Sequence, residues 1–395
     1  MGGGARVNQV LAALEGIGYN TNVISYDGTG ALAFSRLHLS IKSKLVKLSL
    51  PQKVPKILKL VAIPFLIAVG FLSASKSAVV ITHSPGITSG FVGLMVSRLR
   101  GGKLIVDFTD LKDNDTPQSV HDLVLRSAVL VFAVSRRLER SARDVGADNV
   151  VYLPTFIDLS LFPPGKQDGA AIRDSLGLGQ RDRVLGYFGS FSRVEGLPVL
   201  LDAFTTVIRQ LPRVKLMIVG SRNVGGTDDV GRIVQELGLQ DNVLLVPAQP
   251  YARVPALMRA VDLLVAPKVE APENEAADPV KMYEYLASGI PCVISLVGEV
   301  ARTVQQAQAA FTVKPGDPRS LSETITLAFS DSPRAAAYAA RGRRLIEDSY
   351  SMERATVEIR RAFGDIGIHG PIEETDGFVA WNVTPTSRTN RRHRR

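Results

Sequence analysis

The sequence predicts an α/β protein built from two doubly wound parallel sheets. At 395 residues, the chain is longer than a single hydrophobic core usually organises. Helical segments alternate with short β-branched runs in both halves, which is typical of parallel strands joined by crossover helices. A polar, glycine-rich stretch at residues 162–183 separates the halves. Two facing Rossmann-like domains are therefore expected.

The predicted strands are short apolar runs, most of which follow a predicted helix. In the first half they are residues 21–26, 78–82, 103–108, 128–134 and 149–154, and in the second half residues 183–190, 214–221, 242–247, 262–267, 291–295 and 309–314. The predicted domains are residues 1–165 and 166–350, followed by a helix at 351–366 that packs back towards the first domain. Residues 367–395 lose periodicity and end in "TPTSRTNRRHRR", which predicts a disordered basic tail.

The beginning of the sequence lacks an expected strand. "MGGGARVNQVLAALEGIGYNTNVISY" predicts a glycine loop, a helix and a strand, with no strand before the loop. In an open α/β sheet that strand is normally central. The N-terminal first strand is therefore missing, and either the true start lies upstream or the first sheet is one strand short.

Composition excludes several protein classes. With 45% hydrophobic and 22% charged residues, the chain is neither disordered nor fibrous. The single cysteine, Cys292, excludes a disulfide framework or a cysteine zinc site within the chain, which favours a reducing cytoplasm. The net charge of +9 is concentrated partly in the tail, and no signal sequence opens the chain. No nucleic-acid partner is expected.

One segment has a composition typical of segments that contact a membrane surface. Residues 60–72, "LVAIPFLIAVGFL", are apolar but too short to span a bilayer, which needs about 20 residues. They follow a segment, residues 41–59, in which six lysines alternate with apolar residues. Two compatible interpretations fit: contact with an anionic membrane surface, or a buried helix beside a solvated loop.

A short helix carries the most informative charges. Asp278 suits an N-cap, and Gly289 followed by Pro291 ends a helix predicted over residues 279–288. Lys281 lies in its first turn, where the helix dipole disfavours a cation by about 0.3–1 kcal/mol unless an anion is nearby. Glu284 lies on the same face, where a carboxylate can accept hydrogen bonds from a ribose diol. These residues predict a diphosphate and ribose site, or alternatively a surface ion pair.

Several motifs then resemble one enzyme family. "GYFGSFSRVEGLPVLLDAF", "KLMIVGS", "NVLLVPAQPYARVPALMRAVDLLVAP", "KMYEYLASGIPCVIS" and "FTVKPGDPRSLSETI" are similar, in this order, to motifs of retaining GT-B glycosyltransferases of family 4 (group 1). They cover roughly residues 183–329. The first half resembles the family more loosely, through "GGGARV", "THSP", "VDFTDL" and "FAVSRRL". The resemblance implies a hexosyltransferase-type enzyme that uses a UDP- or GDP-sugar, retains configuration and needs no bound metal or other cofactor.

The resemblance also assigns roles to residues. It implies that the first domain is the acceptor side and the second binds the nucleotide sugar. Catalytic roles fall on Glu284, Lys281 and Arg193. The implied donor-binding residues are Gly189, Ser190, Gly220, Ala248, Gln249, Pro250, Val280 and Met282, and the implied acceptor-side residues are Gly3, Gly4, His83, Thr109 and Asp110.

The sequence departs from the family at charged positions. Ser190 stands where members often carry arginine, Glu195 where they often carry lysine, and Thr109 where they often carry histidine. An earlier glutamate is replaced by Ala276. Donor binding then depends on Lys281, Arg193 and Lys268 to neutralise the diphosphate.

The function implied is sugar transfer from a nucleotide-diphosphate sugar to a saccharide or polyprenyl-linked acceptor, in cell-surface polysaccharide or glycolipid synthesis. The predicted location is the cytoplasm, peripheral on the inner face of the plasma membrane. Two alternatives stay open: a sugar-nucleotide 2-epimerase, and a catalytically weak member that binds nucleotide sugar within a polysaccharide assembly complex.

Overall fold

The predicted fold class is confirmed: the chain forms two Rossmann-like α/β domains, each built on a largely parallel sheet. The structure is a computed structural model. It describes residues 2–19, 21–27, 34–41, 44–51, 56–111, 116–163, 165, 169–179, 181–221, 229–368 and 378–382.

The first sheet has eight strands in the spatial order β3-β2-β1-β14-β4-β5-β6-β7. Its strands are β1 (Thr21–Asp27), β2 (Phe34–Ile41), β3 (Lys44–Pro51), β4 (Val79–His83), β5 (Lys103–Phe108), β6 (Leu130–Ala133), β7 (Val150–Tyr152) and β14 (Phe378–Asn382). β2 and β3 form an antiparallel hairpin at one edge, and the other strands are parallel. The sequence analysis did not predict this hairpin; β3 lies within the basic segment of residues 41–59, and β2 lies almost entirely before it.

Helices cover both faces of the first sheet. They are α1 (Gly2–Gly16), α2 (Lys56–Ser73), α3 (Val92–Arg100), α4 (Gln118–Ser127) and α5 (Arg136–Asp144). Successive side chains of a strand point to opposite faces, so Val80 packs with α2 and α3 while Ile81 packs with α1. Because both faces are covered, every residue of β4 is buried and its sequence, "VVITH", does not alternate between apolar and exposed polar residues.

The C-terminal strand occupies the central position that the sequence analysis left empty. β14 pairs in parallel with β1 on one side and β4 on the other, with Val379 opposite Val80. The prediction of a disordered tail over residues 367–395 is therefore wrong for Phe378–Asn382. An open gap would leave two strand edges with unpaired N–H and C=O groups, and the β-forming segment "FVAWN" satisfies them. The arginine-rich residues 383–395 lie outside the described residues.

Helix α2 contains the apolar segment that the sequence analysis singled out. Ile63 and Leu66 are buried in the core, whereas Phe65 and Leu72 are exposed on the opposite side, Leu72 by 79%. Lys42 and Lys53 lie outside the described residues. Of the helices that the structure describes, none is both long and apolar enough to cross a bilayer.

The second sheet has six parallel strands in the order β10-β9-β8-β11-β12-β13. These are β8 (Arg183–Ser190), β9 (Val214–Ser221), β10 (Val243–Pro247), β11 (Leu263–Ala266), β12 (Cys292–Ser295) and β13 (Phe311–Val313). The helices around it are α6 (Gly169–Ser175), α7 (Leu197–Gln210), α8 (Val230–Glu236), α9 (Val254–Met258), α10 (Pro272–Ala276), α11 (Val280–Ala287), α12 (Glu299–Gln306), α13 (Pro318–Ser330) and α14 (Ser332–Ser349).

The chain passes between the domains twice. After α14 it returns through a backbone bridge between Ser351 and Ile157, and helix α15 (Met352–Asp365) then packs on the first domain. There Ile359 and Phe363 share a core with Leu14 and Phe132. This double crossing holds the carboxyl ends of the two sheets towards each other, where α/β proteins bind ligands.

Candidate functional site

A cavity of about 310 Å³ lies between the two domains, at the carboxyl ends of their strands. From the first domain it is lined by Arg6, His83, Thr109, Asp110, Val134 and Thr155. From the second it is lined by Phe188, Gly189, Ser190, Glu195, Val219, Gln249, Tyr251, Val254, Lys268, Ala277, Asp278, Pro279, Val280, Lys281 and Glu284. Seven of the predicted donor-side and acceptor-side residues line it together with Lys281 and Glu284.

Two lysines and one carboxylate, Lys281, Lys268 and Glu195, form a charged group on the second-domain side of the cavity, called here the Glu195 cluster. Glu195 lies in a 3-10 turn after β8, and its carboxylate accepts hydrogen bonds from Lys281 and, at 3.3 Å, from Lys268. Lys268 follows β11 and also donates to Asn274 Oδ1 at 2.7 Å. All three charged side chains are nearly buried. The sequence departure at Glu195 is thus matched by two cations, and the cluster carries one net positive charge.

Lys281 lies directly against the backbone turn expected to face a diphosphate. Its ammonium is 3.2 Å from the Tyr187 hydroxyl and 4.6 Å from the centre of that ring. A Cβ added at Gly189 would lie only 2.5 Å from Lys281 Nζ. Glycine at position 189 therefore lets the ammonium and the β8 turn approach each other closely.

Burial shifts the protonation of this cluster. Burial lowers the pKa of Lys268 to about 8, although the Glu195 carboxylate acts in the opposite direction. Burial alone would raise the pKa of Glu195, but the charges of Lys281 and Lys268 outweigh it and lower that pKa. At neutral pH Glu195 is therefore ionised and Lys268 is largely protonated, and Lys268 loses its charge as the pH rises through about 8.

Glu284 lies on the next turn of α11 and is only 7% exposed. Burial raises the pKa of its carboxyl group, and a hydrogen bond from the Tyr251 hydroxyl and the charge of Lys281 partly offset this effect. Among the described residues, the Tyr251 hydroxyl is the one neutral hydrogen-bond donor to the two carboxylate oxygens of Glu284. These oxygens can therefore accept hydrogen bonds from further hydroxyl groups.

The first domain contributes a buried polar chain. Arg6 on α1 donates to Asp107 at 3.0 Å and to the Leu153 carbonyl at 2.8 Å. Asp107 lies 3.3 Å from His83 Nδ1. Burial alone would raise the pKa of Asp107, but Arg6 and His83 outweigh this effect and lower that pKa.

The chain continues to the cavity surface. Thr109 Oγ1 is 3.2 Å from His83 Nε2 and donates to Asp110 at 3.1 Å. The imidazole is thus held on both nitrogens, and Thr109 and Asp110 present oxygens to the cavity.

Asp278 connects the two domains and does not cap α11. Its carboxylate accepts hydrogen bonds from the Thr155 backbone N–H of the first domain and, at 2.6 Å, from the Tyr283 hydroxyl. Pro279 occupies the N-cap position in an extended conformation and makes no side-chain cap. The N-cap prediction is therefore wrong, because the Asp278 carboxylate is bonded to the Thr155 N–H of the first domain and to the Tyr283 side chain of α11, and not to the first backbone N–H groups of that helix.

Some predicted site residues lie elsewhere. Arg193 is exposed and does not line the cavity. Met282 is buried in the core, and its N–H bonds to the Pro279 carbonyl, so it is not available to a phosphate. Gly220 packs against the Gly189 carbonyl and supports the β8–β9 pair.

The remaining predicted positions differ in their environment. Ala248 and Pro250 flank Gln249 but do not themselves line the cavity. Gly3 and Gly4 lie in the first turns of α1 and not in the expected glycine loop. No group of histidine, cysteine and acidic side chains among the described residues is arranged to hold a metal ion.

Sequence reasoning missed several contributors. Tyr187 and Tyr251 supply hydroxyl groups to Lys281 and Glu284, and Asn274 holds Lys268. Arg6 anchors the polar chain of the first domain. Tyr187 lies near the carboxyl end of β8, so position alone could have found it, whereas Arg6 and Asn274 act through contacts between separate segments.

With the geometry described, the chain can be compared with known proteins. Residues 168–345 match a family model described as glycosyl transferases group 1. The D-inositol 3-phosphate glycosyltransferase of Segniliparus rotundus is 30% identical over 237 residues, which are 55% of this chain and 51% of the relative. That of Nocardia farcinica is 26% identical over 57% of this chain and 51% of the relative. The chain spans about half the length of these curated relatives.

Solved structures show the same fold. Sucrose-phosphate synthase from Thermosynechococcus elongatus aligns with a TM-score of 0.69 and 19% identity over 91% of this chain and 92% of that one. HepE of Anabaena, solved in complex with UDP-glucose, aligns with a TM-score of 0.65 and 19% identity over 77% and 82%. Residues 168–345 thus match the model of group 1 glycosyl transferases, and the chain shares the GT-B fold of these solved structures.

Proposed function

We propose that this chain transfers a sugar from a nucleotide-diphosphate sugar to a saccharide or lipid-linked acceptor with retention of configuration, as a family 4 enzyme. One observation carries the proposal: Lys281 and Glu284 lie on successive turns of α11, both facing the interdomain cavity beside the Gly189 turn. A cation, a glycine turn and a buried carboxylate in this order suit a diphosphate and a ribose.

The donor would lie along the second domain. Lys281 and the Gly189 turn would contact the diphosphate, and Glu284 would accept hydrogen bonds from the ribose hydroxyls. Gln249 and Tyr251 would then flank the base, since both line the cavity from the second domain and the Tyr251 hydroxyl is bonded to Glu284. HepE, which shares the fold, was solved with UDP and with UDP-glucose. We propose a UDP- or GDP-sugar as the donor.

Chemistry at this site would be positioning and electrostatic stabilisation. As the glycosidic bond breaks, negative charge develops on the leaving diphosphate, and Lys281 with Lys268 would stabilise it. An acceptor hydroxyl bound on the same face as the leaving group would give retention, and a diphosphate oxygen would take its proton. Thr109 and Asp110, fixed through His83, would orient the sugar from the first domain.

We further propose that the acceptor is presented at the cytoplasmic face of a membrane, in the synthesis of a cell-surface polysaccharide or glycolipid. Between Asp27 and Asp107 the sequence contains eleven lysines and arginines and no acidic residue. In the same region Phe65, Leu72 and Leu99 are exposed. Cations beside exposed apolar side chains suit an anionic bilayer surface.

The experiment is to incubate the purified chain with UDP- and GDP-sugars and to measure thermal stabilisation, because a ligand that binds the folded state raises its stability. Stabilisation by one nucleotide series, lost in Glu284→Gln, would support the donor site. Transfer to an added acceptor with the anomeric configuration kept would support the reaction. No stabilisation by any nucleotide, or an isomerised nucleotide sugar without acceptor consumption, would reject it.

A further inference from the structure

The Glu195 cluster contains an anion where an incoming diphosphate needs cations. Glu195 shares a wall of the cavity with Lys281, Gly189 and Ser190, the group that faces the proposed diphosphate. Its two carboxylate oxygens are bonded to Lys281 and Lys268 respectively. The terminal phosphate of a bound nucleotide would therefore be separated from a fixed carboxylate by one ammonium group.

Substrate and product differ in charge at that point. In a nucleotide-diphosphate sugar the terminal phosphate is esterified, so the diphosphate carries two negative charges. When the sugar leaves, the terminal phosphate gains an ionisable oxygen whose pKa is about 6, so near pH 7.5 the nucleoside diphosphate carries about three. The added charge lies on the phosphate next to Lys281 and is exposed to repulsion from Glu195.

We propose that Glu195 is a specificity-determining residue that weakens binding of the nucleoside diphosphate product relative to the nucleotide sugar. This inference rests on the proposed function. With one net positive charge, the cluster neutralises part of the charge of the donor diphosphate. It attracts the third negative charge of the product less strongly than the two lysines would without Glu195. Product release limits the turnover of many enzymes, so a carboxylate here favours turnover at the expense of total nucleotide affinity.

A purely structural role for Glu195 predicts a different result. If the carboxylate only positioned the two lysines, its removal would change the affinity of donor and product by the same factor. The ratio of the two dissociation constants therefore separates the roles.

The test is isothermal titration calorimetry at pH 7.5 with two matched pairs, UDP with UDP-glucose and GDP with GDP-mannose. Wild type is compared with Glu195→Gln, and with Glu270→Gln as control, because Glu270 is exposed and does not line the cavity. In Glu195→Gln we expect the Kd of the diphosphate, divided by that of the sugar nucleotide, to fall about tenfold, the effect of one unit charge across a partly solvated site. The control should leave this ratio unchanged.

Two more variants complete a double-mutant cycle. Lys268→Met leaves Glu195 with one cation and should raise the ratio, and Glu195→Gln combined with Lys268→Met restores the wild-type net charge and should return it towards the wild-type value. These two remain informative if Glu195→Gln alone does not fold. An unchanged ratio in Glu195→Gln, or a ratio indifferent to Lys268, overturns the inference while donor binding stands. Absence of any nucleotide binding to wild type instead rejects the proposed function.

Discussion

Replacing Lys281 with methionine removes the cation that touches the proposed diphosphate while keeping most of the side-chain volume. The ammonium contacts Glu195, the Tyr187 hydroxyl and the Tyr187 ring, so its loss also disturbs the folded state. Glu195 keeps Lys268 at 3.3 Å as a partner. We therefore expect the free energy of unfolding to fall by about 1–3 kcal/mol, the range for a buried polar group that loses one partner.

Catalysis should suffer more than folding. A single preorganised donor to a developing oxyanion contributes about 2.7–4 kcal/mol, which corresponds to a decrease of 10²–10³-fold in kcat. The assay is the initial rate of sugar transfer, with urea unfolding measured on the same preparation. Lys314→Met is the control, because Lys314 is exposed and lies outside the cavity. A folded Lys281→Met variant whose kcat stays within tenfold of wild type would refute the assignment of the diphosphate site.

Three further predictions concern other parts of the molecule. Glu284→Gln should weaken binding of the nucleotide sugar by about tenfold or more, because an amide supplies one acceptor oxygen in place of two; calorimetric affinity equal to wild type would contradict the ribose assignment. The affinity for a nucleotide sugar should fall as pH rises through about 8, since the pKa of Lys268 lies there and its cation is lost above it; Lys268→Met should abolish this dependence, and a dependence that persists in the variant would exclude Lys268 as its source. Leu72→Asp should reduce flotation with vesicles containing anionic lipid, since it places a carboxylate on an exposed apolar surface; exposed Leu327→Asp, in α13 of the second domain, is the control, and equal flotation of wild type and Leu72→Asp would remove this surface from the proposal.

The fold was predictable because its signals are local. Every strand predicted in the second half appears within two residues of its observed limits, since buried parallel strands form continuous apolar, β-branched-rich runs between helices. Helix α11 was predicted over residues 279–288 and is observed over Val280–Ala287, because Gly289 adopts a positive φ of 68° and ends it. Helix ends of this kind depend on only a few neighbouring residues.

The errors arose where distant segments meet. Asp278 suits an N-cap in isolation, but the Thr155 backbone, more than a hundred residues earlier, offers its carboxylate a donor. Segment "FVAWN" is a weak strand signal beside an arginine-rich tail, and only the gap between β1 and β4 selects it for the sheet. Neither contact leaves a pattern in the sequence near the residue concerned.

The positions of the cations in the site were also predicted only in part from the sequence. Sequence comparison with the family suggested that Ser190 and Glu195 thin the positive charge around the diphosphate, with Arg193 as the nearest replacement. In the structure Arg193 is exposed, whereas Lys281 and Lys268 enclose Glu195. The cation expected at position 195 has in effect been replaced by a lysine on α11 and one after β11.

This rearrangement changes what the charge can do. A lysine at position 195 would add a fixed cation whose affinity for phosphate rises with every charge the ligand carries. The observed cluster instead combines two cations with one anion, so that its response to an additional charge on the ligand is weaker. Since the lysines lie on separate elements, Lys281 can leave Glu195 for a bound phosphate while Lys268, held by Asn274, keeps the carboxylate neutralised. On the proposed function, this departure from the family pattern would retain a cation for the donor and would add a means of distinguishing donor from product, which the ratio of dissociation constants in Glu195→Gln tests directly.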